Sequence, residues 1–419
     1  MELLLGDCKA KLKELEDNSI DAIVTDPPYG LSFMGKKWDY DVPSIEVWQE
    51  CLRVLKPGGY LLSFAGTRTQ HRMAVNIEDA GFEIRDMIAW VYGSGFPKSL
   101  NIGKAVDKLK GNKRETVGEY KTLSPGDVWR INGDFGGESV DQSTRGITKG
   151  NSEWEGWGTA LKPALEPITV ARKPLEKGLN VASNCLKWGV GGINIDGCRV
   201  EAQKGDKFGG GGLNSPVNGF MGNTENTYKK GIGFRDDTHI GRFPANLIHD
   251  GSDEVVELFP QTKGEIGRVG RKSGGNYNAS SFKVGVVTET GIRDKGSASR
   301  FFYCAKASKR ERNIGCEGLE ERVRVRQGLA GEHKDTVSRN SHPTVKPIAL
   351  MEYLVKLVSR EGQVVLDPFM GSGTTGMACK KLNREFVGIE MMPEYMEIAK
   401  ARIDGVKKRE QLNLLKDNK

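Results

Sequence analysis

The chain has few histidines and no paired cysteines. Its 419 residues include five histidines and seven cysteines, and no two cysteines stand in a Cys-x-x-Cys pair. An odd number of scattered cysteines argues against a disulfide framework and against a zinc ribbon, and it is typical of a reducing compartment such as the cytoplasm. We therefore expect neither disulfides nor a metal site.

Long apolar runs are also absent. No stretch approaches the roughly 20 apolar residues that a membrane-spanning helix needs. The first residues carry neither a basic leader nor a cleavage site, so we expect no signal peptide. With 37% hydrophobic and 28% charged residues, the composition is typical of a soluble globular protein. The sequence thus predicts a cytoplasmic protein that makes no use of a membrane.

Basic residues outnumber acidic residues only modestly. The chain has 62 lysines and arginines against 55 aspartates and glutamates, which gives a net charge of +7. This balance is compatible with a polyanionic partner, but many proteins that bind no polyanion are equally basic. The charge alone therefore leaves the partner open.

Both ends of the chain alternate between strand and helix patterns. Strands are predicted at 1–6, 20–25, 60–64, 82–91, 364–366 and 386–389. Helices are predicted at 10–15, 44–55, 68–79, 348–359, from 374 to 382, and at 394–403. Strand, helix and strand in such close succession indicate a parallel α/β sheet.

The middle of the chain has a different character. Residues 94–341 are rich in Gly, Asn, Ser, Lys and Arg, for example at 209–212 and 268–276. Only short strands at 190–195 and 300–303 and a helix at 253–259 are predicted there. Such a segment is either a functional insertion or disordered, and its scattered tryptophans argue that much of it folds. We divide the chain into 1–100 and 341–405 (two parts of one α/β domain), 101–340 (an insertion) and 406–419 (a polar tail).

An acid followed by two prolines ends the predicted strand 20–25. The four residues are Asp26, Pro27, Pro28 and Tyr29. Proline has no N–H and holds the preceding residue extended, so the carbonyls here are free to face a ligand. A carboxylate, a bare carbonyl and an aromatic ring can hold a planar group that carries an exocyclic amine. The same residues are common in turns, and the motif alone leaves both interpretations open.

A glycine-rich turn follows the predicted strand 364–366. Its candidate ligand-binding residues are Asp367, Phe369, Gly371, Gly373 and Thr374, and Glu390 ends the next strand. Glycines let a ligand approach the backbone, and an acid after the next strand is typical of sites that bind ribose hydroxyls. The turn lacks the Gly-x-Gly-x-x-Gly pattern of dinucleotide sites. A nucleoside cofactor without pyrophosphate, such as S-adenosylmethionine, therefore fits better.

Together these motifs resemble those of the amino-methylating DNA methyltransferases, which modify adenine N6 or cytosine N4. Residues 26–29 resemble that family's Asp-Pro-Pro-Tyr catalytic motif, and residues 369–373 resemble its Phe-x-Gly-x-Gly cofactor motif. Residues 342–347, His-Pro-Thr-Val-Lys-Pro, resemble the segment that precedes the cofactor motif. The order, with the catalytic motif first, resembles the β-type permutation, in which a target-recognition region lies between the two motifs.

The resemblance implies a fold and a mechanism. The fold is a circularly permuted, Rossmann-like S-adenosylmethionine-dependent methyltransferase sheet with a large loop-rich insertion, and the two motif strands lie side by side in it. Asp26 and the Pro27 carbonyl would accept hydrogen bonds from the target amine and make its nitrogen available for direct methyl transfer. Tyr29 would stack on a base flipped out of the duplex.

Further site residues are predicted by position. Asp7 and Cys8 match strand-end positions that contact the cofactor's adenine in the resembling family, with a helix cap at Asp7 as the alternative. Lys346 would line the cofactor pocket, with a helix start at Pro347 as the alternative. Phe96, which follows the last N-terminal strand, is predicted to lie near the target base.

Aspartate in the first position of the catalytic motif favours adenine N6 in the resembling family, whereas serine favours cytosine N4. The predicted function is a site-specific DNA methyltransferase acting on adenine N6, with cytosine N4 as the alternative base. A non-catalytic DNA-binding protein on the same scaffold is the alternative of another class. The predicted partner is double-stranded DNA, with the Gly-Arg-Lys stretches on its phosphates. A homodimer, a cognate restriction nuclease and association with the nucleoid are implied by the resemblance alone.

Overall fold

A nine-stranded sheet, to which both ends and the middle of the chain contribute, forms the centre of the protein. The computed structural model describes residues 1–31, 39–95, 99–122, 143–201, 241–263, 295–305, 309–327 and 333–406. Their strands are β1 (Glu2–Leu5), β2 (Ile20–Thr25), β3 (Leu55–Phe64), β4 (Glu83–Val91), β5 (Glu115–Thr122), β6 (Ser143–Lys149), β7 (Leu165–Arg172), β8 (Leu247–His249), β9 (Gln261–Lys263), β10 (Lys295–Ser297), β11 (Tyr303–Cys304), β12 (Arg322–Gln327), β13 (His333–Ser338), β14 (Val364–Asp367) and β15 (Glu385–Glu390).

Helices cover both faces of this sheet. They are α1 (Cys8–Leu12), α2 (Ile45–Val54), α3 (Gln70–Asp79), α4 (Ile102–Lys110), α5 (Val181–Trp188), α6 (Asp253–Val256), α7 (Ile348–Val358), α8 (Thr374–Lys381) and α9 (Pro393–Asp404). No helix in the described ranges is long and apolar enough to cross a membrane.

The strand order places the two sequence motifs next to each other. The order is β1-β15-β14-β2-β3-β7-β4-β8-β11, and β7 alone in this sheet runs antiparallel to its neighbours. Strand β14 pairs with β2, with Val365 opposite Ala22 and Leu366 opposite Ile23. The catalytic and cofactor motifs therefore leave adjacent parallel strands at the same edge, which confirms the predicted arrangement.

Burial on both faces explains why the strands are apolar. Every residue of β2 is buried, as expected for a parallel strand between two helical layers. One core cluster includes Leu354 and Met377 from α7 and α8, and the other includes Trp48 and Met73 from α2 and α3. The two layers hold the motif strands rigidly from both sides.

The sequence prediction is wrong about where the sheet ends in the chain. Strands β7, β8 and β11 all belong to the central sheet, although they lie in the segment 101–340 that was predicted as an insertion. Strand β7 fills the position between β3 and β4. The apolar run of β7 is not flanked by segments with a clear helix or strand pattern. Only its pairing with distant strands therefore identifies it as part of the sheet.

Three shorter segments also differ from the prediction. Residues 190–195 form no strand, because the helix α5 ends at Gly189 (φ 76°) and the Asn194 amide then bonds to Leu357 O. Residues 298–301 form a 3-10 helix before the two-residue strand β11. Strand β3 begins at Leu55 and not at residue 60, so it includes Gly58 and Gly59. A Cβ at Gly59 would lie 2.9 Å from Asp21 O, so a glycine at this position allows β2 and β3 to pair closely.

Helix α9 is fastened to the glycine-rich turn by a buried arginine. The Arg402 guanidinium donates to Ser372 O at 2.6 Å, to Ser372 Oγ at 2.9 Å and to Thr374 Oγ1 at 3.0 Å. It also donates to Glu311 O at 3.2 Å. Arg402 is fully buried, and burial lowers its pKa to about 10. Its hydrogen bonds therefore compensate the cost of placing a guanidinium under the cofactor motif.

We expect Arg402→Met to destabilise the fold. The apolar side chain fills the volume but leaves the buried carbonyl of Ser372 and the partly buried carbonyl of Glu311 without their donor, which should lower the free energy of unfolding by about 2–4 kcal/mol. Urea denaturation measures this change. The matched control is Lys400→Met on the exposed side of the same helix, for which we expect a change below about 0.5 kcal/mol. Equal effects of the two substitutions would contradict the anchoring role.

Candidate active site

Asp367 ties the ends of the two motif strands together. Thr25 Oγ1 donates to Asp367 Oδ1 and Thr375 Oγ1 donates to Oδ2, both at 2.6 Å. The Phe369 amide donates to Oδ1 at 3.1 Å. Burial raises the pKa of Asp367 to about 6, and its three donors act against that rise. This predicted ligand-binding residue thus joins β2, β14 and α8 at the site.

Two glycines of the turn occupy positions that other residues would not tolerate. Gly371 has φ 54° and Gly373 has φ 76°. A Cβ at Gly371 would lie 2.8 Å from His342 Nε2, and one at Gly373 would lie 3.0 Å from Ala399 Cα. The turn is therefore held tight against α9, with its backbone close to the open edge of the sheet.

Glu390, which ends β15, lies beside this turn. Its Oε2 accepts the Gly371 amide at 2.9 Å, and its Oε1 accepts the Met392 amide at 2.8 Å. Burial raises the pKa of Glu390 to about 7. Each carboxylate oxygen has a second lone pair, which can accept a hydrogen bond from a ligand hydroxyl. The glycine backbone and this carboxylate fit the nucleoside part of S-adenosylmethionine.

The other predicted cofactor residues have identified contacts of their own. Asp7 caps α1 by accepting the amides of Lys9 at 3.0 Å and Ala10 at 3.3 Å, as its alternative interpretation stated. Burial raises the pKa of Cys8 to about 12, so its thiol stays neutral. Both residues follow β1, whose Leu5 is opposite Glu390, and they therefore lie at the same edge of the sheet.

Phe369 and Thr374 are fixed by neighbours on opposite sides of the turn. The Phe369 ring packs edge-on against Trp48, with ring centroids 6.3 Å apart. The Thr374 hydroxyl accepts from Arg402, as described above. These contacts hold the turn in shape from both sides.

The catalytic motif ends in a cluster of charged and phenolic groups. Lys346 Nζ donates to Asp26 Oδ2 at 2.7 Å and lies 3.1 Å from Glu166 Oε2. The Tyr29 hydroxyl lies 2.7 Å from Asp26 Oδ1 and 3.1 Å from Glu166 Oε2, and it accepts from Lys346 Nζ at 3.2 Å. Lys346 was predicted among the cofactor residues, but the structure places its ammonium on the catalytic motif. Helix α7 starts directly after Pro347, so the alternative interpretation also holds.

Electrostatics fix the protonation of this cluster. Burial, together with the charges of Asp26 and Glu166, raises the pKa of Tyr29 well above its usual range, so the phenol keeps its proton. Burial alone would lower the pKa of Lys346, but the facing carboxylates outweigh it and hold that pKa above its ordinary value. The cluster is therefore an ammonium and a neutral phenol between two carboxylates.

Two residues of the site were missed by sequence reasoning. Glu166 lies at the start of β7, where the antiparallel direction brings it to the edge that carries Asp26. Its only sequence signal is an acid before the apolar run of that strand. Asp39 is 2% exposed and accepts the amides of Tyr29 at 2.7 Å, Gly30 at 3.0 Å and Leu31 at 3.3 Å. It holds the loop after the catalytic motif and has no sequence signal.

Some predictions lie outside the described residues. They concern the loop at Phe96, the glycine-rich stretch 209–212, the basic stretch 268–276, and the tail from 407 onward.

We expect the buried carboxylate of Glu390 to make stability depend on pH. Because its folded pKa is raised from 4.5 to about 7, the folded state holds this proton more tightly, and stability is lost as the pH rises through that window. Glu390→Gln removes the ionisation, so its stability relative to wild type should improve by about 2–3 kcal/mol between pH 5 and pH 8. Urea denaturation at both pH values measures the difference.

Wild type must be compared with Glu390→Gln at each pH, because His342 changes the stability of the fold with pH in the opposite direction. Burial lowers the pKa of His342 to about 4, so its contribution to stability increases as the pH rises from about 4 to its ordinary value of 6.5. That contribution is common to both proteins and cancels in the difference. A difference that does not change with pH would show that Glu390 is not strained by burial.

A family model and known proteins match long or short parts of this chain. A family model described as a DNA methylase, for N6 and N4 methyltransferases, matches residues 20–250 and 269–401. The type II methyltransferase M.HindIII of Haemophilus influenzae is 24% identical over 95% of this chain and 93% of its own length. The type II methyltransferase M.HpaI of Haemophilus parainfluenzae is 50% identical over 72 residues, which are 17% of this chain and 23% of that protein.

Solved structures of DNA methyltransferases also match this chain, at low sequence identity and with low TM-scores. The complex of M1.HpyAVI with SAM has a TM-score of 0.38 at 17% identity and covers 96% of this chain and 98% of its own. The cytosine-N4-specific PvuII DNA methyltransferase has a TM-score of 0.42 at 12% identity and covers 98% and 89%. The family match, which includes both motifs of the site described above, establishes that this chain belongs to the N6/N4 DNA methylase family and is an S-adenosylmethionine-dependent DNA methyltransferase.

Proposed function

We propose that the protein methylates the N6 amine of adenine in DNA. The observation that carries this proposal is the Asp26 carboxylate, which follows β2 beside the cofactor turn of β14. Aspartate at this position favours adenine N6 over cytosine N4 in the resembling family. The exocyclic amines of both bases have the same geometry, so the choice of base is a question for experiment.

The residues of the catalytic motif would act by accepting hydrogen bonds from the target amine and by orienting its nitrogen. An exocyclic amine is a weak nucleophile, because its lone pair is delocalised into the ring. Asp26 and the Pro27 carbonyl would each accept one amine N–H, which favours tetrahedral geometry at nitrogen, reduces delocalisation of its lone pair into the ring and directs that lone pair toward the methyl group. Tyr29 would stack on the flipped base, and the Asp39 contacts keep its loop in place. S-adenosylmethionine supplies the electrophilic methyl group of its sulfonium.

Cofactor binding is assigned to the edge formed by β1, β14 and β15. The glycine turn would contact the cofactor through its backbone, and Glu390 would accept its ribose hydroxyls. Asp7 and Cys8 would lie near its adenine. Phe369 and Thr374 support the turn, and Asp367 joins it to the catalytic strand.

We expect Asp26→Ala to abolish most methyl transfer while cofactor binding remains. Loss of a preorganised acceptor at a developing charge lowers kcat by about 10²–10³-fold. The measurement uses labelled S-adenosylmethionine and unmethylated bacterial DNA, and the digest is resolved by modified nucleoside. N6-methyladenine from wild type alone is the expected result.

The same experiment decides between the alternatives. N4-methylcytosine would keep the mechanism and overturn the choice of base. Bound cofactor with no methylated product from wild type would favour a non-catalytic DNA-binding protein. Lys400→Met, on the exposed side of α9, is the control that should retain full activity.

We expect Glu390→Gln to weaken binding of S-adenosylmethionine. A neutral amide is a poorer acceptor for ribose hydroxyls than a carboxylate, and one hydrogen bond to a charged group contributes about 1.5–3 kcal/mol. The dissociation constant measured by calorimetry at pH 8, where Glu390 with its pKa of about 7 is mostly ionised, should therefore rise by at least about tenfold. The control ligand is a cofactor analogue without ribose hydroxyls. Wild type and Glu390→Gln should bind this analogue with equal affinity. A similar loss with that analogue would contradict the assigned contact.

Recognition of the DNA sequence is assigned to the parts of 101–340 outside the central sheet. One such lobe consists of α4, the hairpin β5–β6 and the segment up to β7. It leaves the catalytic edge after β4, exposes the paired rings of Trp154 and Trp157, and is held together by Arg114 between Asp107 and Glu155. Exposed aromatic rings of this kind can contact bases or sugars.

Partners beyond DNA are supported by family membership alone. We include a homodimer, a cognate restriction nuclease and association with the nucleoid among the proposals. Sedimentation of the protein with and without a DNA duplex tests the first of these.

A further inference from the structure

An ammonium group lies between two carboxylates at the catalytic motif. Lys346 Nζ is 2.7 Å from Asp26 Oδ2 and 3.1 Å from Glu166 Oε2. Lys346 is only 9% exposed, so water and salt screen these charges weakly. Two carboxylates and one ammonium leave a single net negative charge. Without Glu166, the charges of Asp26 and Lys346 would cancel and the cluster would be neutral.

That net charge matters for the chemistry of amine methylation. As the amine nitrogen forms its bond to the methyl carbon, positive charge develops on nitrogen. The electron pair of the broken carbon–sulfur bond stays on sulfur, and an amine proton then leaves to solvent. A neutral pair of Asp26 and Lys346 would stabilise the positive nitrogen poorly, whereas a site with one excess negative charge stabilises it well.

We propose that Glu166 is a positioning residue that keeps the Lys346 ammonium from neutralising Asp26, so that this charge triad retains one negative charge for the target amine. The inference rests on the proposed methyl transfer and goes beyond it. Glu166 is suited to the task because the Tyr92 hydroxyl donates to its Oε1 at 3.3 Å, which leaves Oε2 to face Lys346. The triad is defined as Asp26, Glu166 and Lys346.

The remaining titratable groups around the triad come from neighbouring elements. Tyr29 and Tyr92 stay neutral because burial, with nearby carboxylates, raises the pKa of both phenols. His342 is also neutral near pH 7, since burial lowers its pKa to about 4. Asp367 lies behind the strand end, where three donors hold its carboxylate. None of these residues is substituted in the variants below.

The test varies the net charge of the triad in both directions and then restores it. Glu166→Gln makes the triad neutral, and Lys346→Met gives it two negative charges. The double variant carries Asp26 alone and returns to one negative charge. Glu166→Gln should lower kcat by at least about tenfold because the negative charge is lost. Lys346→Met should lower it by a similar factor because the two facing carboxylates then hold a proton, which occupies Asp26 in place of the target amine. The double variant should be at least about tenfold more active than the product of the two losses predicts.

A purely structural role would give a different pattern. Losses that multiply in the double variant would overturn the proposal, and so would full activity of Glu166→Gln. In Lys346→Met the two facing carboxylates hold a proton to higher pH, so the acidic limb of the pH–kcat profile should move to higher pH. An unmoved limb also counts against the triad.

A conservative variant and two controls complete the design. Glu166→Asp keeps the charge but changes the length, whereas Glu166→Gln keeps the size, so a higher kcat for Asp than for Gln supports the charge argument and the reverse order contradicts it. Exposed Glu257→Gln and Lys400→Met serve as matched controls, and thermal melting reports the fold of every variant. Wild type that methylates no DNA would remove the proposed function itself. An active wild type with an unaffected Glu166→Gln removes only this inference.

Discussion

The parallel pairing of β2 with β14 is the constraint on which the rest of the site depends. Their register places Asp26 and the cofactor turn at one edge of the sheet, and Asp367 locks the two strand ends by accepting from Thr25 and Thr375. Because both strands are covered by helices on both faces, neither end can shift without disturbing a close-packed core. Methyl transfer requires the methyl donor and the acceptor nitrogen to be held at a fixed distance and orientation, and the pairing of β2 with β14 fixes the relative position of the two motifs.

Burial of charge is the second recurrent feature. Arg402, Lys346 and Glu390 are each nearly inaccessible to water, and each makes hydrogen bonds or faces opposite charges, although Nε of Arg402 has no hydrogen-bond partner among the described residues. Such groups are costly to bury, and they contribute little net stability compared with an apolar core. Their concentration at one edge of the sheet is therefore better explained by function than by folding, as is usual for groups with strongly shifted pKa values.

The middle of the chain combines two roles that sequence reasoning separated. Strand β7 completes the sheet between β3 and β4, and its first residues deliver Glu166 to the catalytic motif. The lobe between β4 and β7 therefore begins and ends at the active site. The segment of chain that leads out of that lobe therefore ends at the carboxylates and phenol around Asp26.

The sequence by itself determined the α/β class, the bounds of most strands and helices at both ends, and the identity of the two motifs. These depend on local patterns, such as an apolar run before Asp26 or the glycines at 371 and 373, which are readable within a few residues. Tertiary structure alone decided the partners of those motifs. Lys346 reaches Asp26 across 320 positions and Tyr29 meets Glu166 across 137, and no periodicity encodes contacts at such separation. The same reason explains why β7 was missed, since its place in the sheet is fixed by strands far away in the chain.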